Sequence, residues 1–192
     1  MHAVNCAAVV TSLWERRGAA TPEYPVRLLA FGDPAFPGER SSGDATSAAA
    51  ETYRSAFDSS GGLPRLKASA DEARRVAQYA SESEVRLREK ASAAFLKRAP
   101  LDSFRIVHFA THALVDEHTG ARTALALAPG DGESGFVGAG DLAALRLGAD
   151  LVVLSACRSA RGRIVEGEGV QGLTAPLLQA GARAVVATGW RI

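Results

Sequence analysis

Apolar positions along the chain change period several times, and each change marks an element. Cys6, Val9, Val10, Leu13 and Trp14 fall at i, i+3, i+4, i+7 and i+8, the stripe of an amphipathic helix ending about Arg17. Val26 to Phe31 is a short apolar run stopped by Gly32-Asp33-Pro34, the pattern of a buried strand. Residues 34–64 are mostly Gly, Ser, Pro and Ala; with few large apolar groups to bury, they predict a long flexible loop, interrupted by a short helix around Ala48 to Phe57. Ser69-Ala70-Asp71-Glu72 has capping-box spacing and opens a helix whose face is Ala70, Ala73, Val76, Ala77 and Ala80. A strand over Glu84 to Arg88, a helix over Ala91 to Arg98 and a strand over Phe104 to Ala110 follow. Thr123 to Leu127 and Gly135 to Val137 flank Pro129-Gly130-Asp131-Gly132 as an antiparallel excursion, and a helix runs from about Ala139 to Leu145.

Leu151 to Ser155 is unbroken apolar sequence up to its last residue, the signature of a central parallel strand covered on both faces. Val170, Leu173, Thr174, Leu177 and Leu178 form the next helical stripe, closed by Gly181 as a left-handed cap, and Ala184 to Ala187 is a further covered strand. Alternating strands and helices over a chain long enough for one core predict a single α/β domain spanning 1–192: an open, mostly parallel sheet with helices on both faces.

Charge and composition narrow the function classes. The 192 residues carry 22 basic against 21 acidic groups, a net +1, so no large field points to nucleic acid or an anionic membrane as a partner. No apolar stretch approaches the roughly 20 residues a spanning helix needs. Two cysteines, Cys6 and Cys157, cannot build a disulfide framework, and the Met1 end lacks the pattern of a secretory signal, which predicts a cytoplasmic protein. Abundant Ala and Gly, with lysine only at Lys67, Lys90 and Lys97, fit a GC-rich bacterial genome.

The chemistry-bearing residues sit where strands end. His112 falls just past the strand that ends at Ala110, and Cys157 just past the strand that ends at Ser155. In open α/β sheets the crevice lies at the carboxyl ends of the strands, so both are delivered to one rim. The 45 residues between them (157 − 112) accommodate a crossover. An imidazole beside a thiol favours thiolate and can later protonate a leaving amine, without a metal. A cysteine after a buried strand can also be simply a small packed hydrophobe, but the glycine-rich run from Gly162 to Gly169 predicts that Cys157 lies on an exposed, flexible loop.

Other patterns carry less. His108 and His112 are four apart, but Phe109 stands where a zinc-helix motif needs Glu, and on a strand the spacing is about 13 Å, too far for shared chelation. His108, inside an apolar run, reads as a hydrogen-bonded structural histidine, and His2 and His118 as exposed. Gly167-Glu168-Gly169-Val170-Gln171-Gly172 matches GxGxxG, but it does not follow its strand directly, and Glu168 would face a pyrophosphate unfavourably.

Ile106-Val107-His108-Phe109-Ala110-Thr111-His112 and Leu151-Val152-Val153-Leu154-Ser155-Ala156-Cys157 together resemble the two signature blocks of CHAT domains, relatives of caspases and separases. The resemblance continues through Gly167 to Leu173 and Ala180 to Ala187 in the family's order. It implies a caspase-like fold and a cysteine-type endopeptidase that hydrolyses peptide bonds in a protein or peptide substrate. His112 would be general base and acid, Cys157 the nucleophile, and the backbone N–H groups of Ala113 and Cys157 the oxyanion hole, with no cofactor and no metal. TPR-type repeats or other domains of a longer parent protein are the further partners it implies.

Three departures accompany the resemblance. Ala113 replaces the Gly that usually follows the histidine, adding a Cβ near the substrate carbonyl. Arg158-Ser159 replaces Glu-Thr after the cysteine, and a nearby guanidinium would favour thiolate. The sequence stops at Gly189-Trp190-Arg191-Ile192, so the family's last strand and helix are expected to be missing, as in a C-terminally truncated member. The alternative function is an inactive or truncated CHAT domain acting as a protein-interaction module. The loop residues Arg158, Arg161, Arg163, Glu166 and Glu168 leave the P1 preference open between acidic and basic side chains.

Overall fold

A computed structural model of the chain describes residues 25–36, 63, 65–114, 124–158 and 171–187. The helix expected before Arg17, the one expected over Ala48 to Phe57, and His2, Cys6 and His118 lie outside the described residues.

Strand β1 (Arg27–Pro34) is buried from Leu28 onward. It is followed by α1 (Lys67–Ala77), β2 (Glu82–Arg88) and α2 (Ala93–Arg98), then, after a 3-10 turn, β3 (Ile106–Leu114). The short strands β4 (Ala124–Ala126) and β5 (Phe136–Gly138) lead to α3 (Ala139–Ala143), and β6 (Leu151–Arg158), α4 (Gln171–Gln179) and β7 (Val185–Ala187) complete the order. The seven strands among the described residues all join one sheet. Its body is parallel, with β2 beside β1, β1 beside β3, β3 beside β6 and β6 beside β7.

The sheet branches at β3. Along one edge β3 pairs with β6 from Ile106 to Ala113. Along the other it pairs with β1 only as far as Ala110, and antiparallel β4 takes over that edge from His112 to Leu114, with β5 beyond it. An excursion that the sequence places between β3 and the next helix thus supplies the rungs that β1, paired with β3 only as far as Gly32, does not make.

Side-chain alternation assigns the layers. Leu28 and Ala30 face α1 and pack with Ala73, Val76, Ala77 and Ile106. Leu29 and Phe31 face the other way, into the main core with Val107, Phe109, Val152, Leu154 and the apolar sides of α2, α3 and α4. Phe31 and Phe109 stack there with centroids 5.1 Å apart. The expected open, mostly parallel sheet with helices on both faces is the observed one. Among the described residues no helix is long and apolar enough to cross a membrane.

Several boundaries differ for physical reasons. Gly32-Asp33-Pro34 does not stop β1; the strand continues through an irregularity in its pairing with β2, with Asp33 at φ 42°. The α1 helix begins at Lys67, with Leu66 as N-cap and no side-chain cap, so Ser69 is not the capping residue. Its hydroxyl instead accepts from the backbone N–H of Asp33 (2.7 Å) and donates to the carbonyl of Leu66 (2.9 Å). Helix α2 starts after Ser92, whose side chain accepts from the N–H of Phe95. Gly181 does close α4 at positive φ, and a Cβ there would also meet the carbonyl oxygen of Leu147 at 2.5 Å.

The segment expected to bury little nevertheless buries a large apolar side chain at each end. Phe36 and Leu63 are buried against Ala126, with Phe136 packed on them. Residues 37–62, between them, lie outside the described residues.

Candidate active site

Three rows of the sheet on the face toward α1 build the site. The lowest row holds Ala30 of β1, His108 of β3 and Val153 of β6. The next holds Gly32, Ala110 and Ser155, and the third holds Ala126 of β4, His112 of β3 and Cys157 of β6. Register partners in a parallel pair share a face, and strands stand about 4.8 Å apart, so the backbone sets positions 112 and 157 side by side.

Both residues lie inside strands rather than just past them, because β3 runs on to Leu114 and β6 to Arg158. Cys157 therefore belongs to a ladder by its backbone, not to the loop expected for it; the run from Gly162 to Gly169 lies outside the described residues.

His112 is enclosed. Its side chain is 1% exposed, and the Phe36 ring lies 5.3 Å from the imidazole at an interplanar angle of 45°. Beside it, the Thr111 hydroxyl donates to the carbonyl of Ala126, tying β3 to β4. Ala113 points away, its methyl buried in the main core on the opposite face, so the extra Cβ does not enter the crevice.

Phe36 is brought over the imidazole by the exit of β1. The carboxylate of Asp33, whose side chain is 2% exposed, accepts from Arg65 Nε (3.1 Å) and Nη2 (2.8 Å) and from Arg88 Nη1 (3.0 Å). Asp33 and Arg88 are both left-handed, at φ 42° and 54°, and the N–H of Ala35 donates to the Arg88 carbonyl. Such strained non-glycine residues persist only where surrounding contacts hold them, and they gather at functional sites.

Beneath the upper row lies a polar node that the sequence reading missed. His108, 1% exposed, meets Glu72 of α1 through Nε2 at 3.1 Å, which makes that nitrogen the donor; the expected hydrogen-bonded histidine is the observed one. Its Nδ1 is buried and has no hydrogen-bond partner among the described residues. Glu72 is also hydrogen-bonded to Ser155 of β6. Burial opposes ionisation of Glu72, but the hydrogen bonds from His108 and Ser155 and the attraction of His108 outweigh it, and the carboxyl titrates below its usual range.

A signal for Glu72 was present in the sequence. It lies between Ser69 and Val76 on the apolar stripe of α1, where a carboxylate needs a buried partner. Among the described residues no group of three or more His, Cys, Asp or Glu side chains is arranged to hold a metal.

The family model that matches residues 2–192 is that of the CHAT domain. The chain belongs to the CHAT family. The α/β sheet of this CHAT domain is consistent with the caspase-like fold of that family. No curated protein matches the chain.

Proposed function

We propose that this CHAT domain is a cysteine-type endopeptidase that hydrolyses peptide bonds in a protein substrate with a dyad of Cys157 and His112. The observation that supports the reading is the single register pair His112↔Cys157 at the carboxyl end of the β3–β6 ladder. In the proposed reaction His112 takes the thiol proton, the Cys157 thiolate attacks the scissile carbonyl, and the imidazolium protonates the leaving amine. Water then hydrolyses the thioester, with His112 again as base. The N–H groups of Ala113 and Cys157, in the last two rows of the ladder, are the proposed donors to the oxyanion, a role in which losing one donor costs about 3 kcal/mol in other enzymes. No cofactor enters this mechanism.

One observation favours the second reading, a CHAT domain that binds a protein partner without turnover. His112 is 1% exposed under Phe36, so a substrate carbonyl reaches this row only if Phe36 yields. Digestion of a peptide library separates the two: cleavage by the parent and not by Cys157→Ala or His112→Ala supports the peptidase. Intact peptides after prolonged incubation with the folded parent support the binding module. In the same preparation an iodoacetamide probe is expected to label Cys157 much faster than Cys6; equal labelling speaks against an activated thiol.

A further inference from the structure

The two strands that carry the proposed dyad each bury a polar side chain in the rows below it. His108 on β3 is 1% exposed and Ser155 on β6 is 8% exposed. Neither is there for packing, since an unpartnered polar group in such a place is costly and an apolar residue of similar size would fill the space. Glu72 meets them both. A histidine needing only an acceptor could find one on a single element; this carboxylate instead reaches from α1 to β3 and β6 together, one to two rows beneath the pair His112↔Cys157. Cys157 follows Ser155 by two residues, so any slip of β6 against β3 at Ser155 is carried to the row above.

We propose that Glu72, His108 and Ser155 form a positioning network that locks β3 and β6 in register beneath the dyad and sets a fixed negative charge near it. The network touches no substrate; it acts through the dyad, and so the inference rests on the peptidase reading. Two consequences are separable. The lock keeps the thiol and imidazole in one geometry, which matters because misplacement by about 1 Å is enough to cost orders of magnitude in rate. The charge favours imidazolium and opposes thiolate, so it holds both proton equilibria of the dyad at higher pH than they would otherwise have. The groups facing Glu72 from the packed elements are His108 from β3 and Ser155 from β6.

The test uses the full chain carrying Cys6→Ser, so that Cys157 is the only thiol. Alkylation by iodoacetamide is followed against pH, beside the pH profile of peptide cleavage. Glu72→Gln is expected to move both profiles to lower pH by about one pH unit and to lower kcat about tenfold with KM little changed. Glu72→Asp, which keeps the charge, is expected to leave the midpoints where they are, and Ser155→Ala to lower kcat. Melting curves identify variants that fail to fold.

A folded Glu72→Gln with the parent's midpoints and kcat overturns the proposal, as does an equal shift in Glu72→Asp. Should Glu72→Gln not fold, an unchanged kcat in folded Ser155→Ala overturns it instead. Alkylation reads the network without turnover: a shifted alkylation profile in a parent that cleaves nothing leaves the network standing and removes the peptidase reading. Cleavage that Glu72→Gln leaves untouched does the reverse.

Discussion

Gly32 sits where β1 passes under α1, and replacing it with alanine measures how tightly that helix is held over the site. A Cβ built at Gly32 meets the Ser69 carbonyl oxygen at 2.5 Å and the Ala73 Cβ at 2.9 Å, where ordinary contact begins at 3.4 Å. Relief toward Ser69 requires about 0.9 Å of movement (3.4 − 2.5) in helix backbone rather than in a flexible side chain. The hydrogen bond from the Asp33 N–H to the Ser69 hydroxyl, now 2.7 Å, would be stretched out of range by a shift of that size. Overpacking costs about 1–3 kcal/mol and the lost bond about 1 kcal/mol, against about 0.4–1 kcal/mol regained from a less flexible unfolded chain.

The net expectation for Gly32→Ala is a loss of about 1–3.5 kcal/mol, read as a lower urea midpoint at unchanged m-value and a melting temperature lower by roughly 2–14 °C. Gly140→Ala is the control: nothing lies within 4 Å of a Cβ there, and the residue is in α3, so neutrality or a gain of up to about 1 kcal/mol is expected. A Gly32→Ala protein within about 0.5 kcal/mol of the parent would refute the claim that α1 is pinned at this contact, and with it the rigidity that places Glu72.

Asp33→Asn keeps the shape of the β1 exit but removes the charge that two guanidinium groups share. Because Arg65 and Arg88 are 43% and 31% exposed, the expected loss in urea unfolding is about 1–3 kcal/mol rather than that of a fully buried pair, and a change under about 0.5 kcal/mol contradicts it. Glu72 gives the pH dependence. Its folded pKa lies below the ordinary glutamate value of 4.5, so its stabilisation is complete above pH 4.5 and is lost as the pH falls through the lower folded value. The gap in melting temperature between parent and Glu72→Gln should therefore be widest near neutral pH and close below pH 4.5; a gap that widens on acidification contradicts the sign.

The layers were legible because parallel strands covered on both faces must be apolar, as Leu151 to Leu154 are, and because α1 writes its buried face as Ala70, Ala73, Val76 and Ala77. The neighbourhood of positions 112 and 157 was legible for a related reason, that strand ends in such sheets share a rim. What stayed hidden was long-range. Residues 111–114 extend β3 because β6 pairs with them along one edge and β4, from a later excursion, along the other. The Ser69 hydroxyl looked like a cap but serves Asp33, 36 residues away, and Phe36 came from a stretch too poor in large side chains to suggest a wall for an imidazole. Glu72 was visible as a residue on α1, yet its partners lie on two strands far along the chain.

The branch in the sheet has an energetic meaning for His112. A residue with strand partners on both flanks gives up its main-chain freedom when the protein folds, not when a ligand arrives. The entropy of holding that main chain still is thus already contained in the folding free energy, and a lesion in β4, or in β5 beyond it, should loosen the histidine as surely as one in β3 itself.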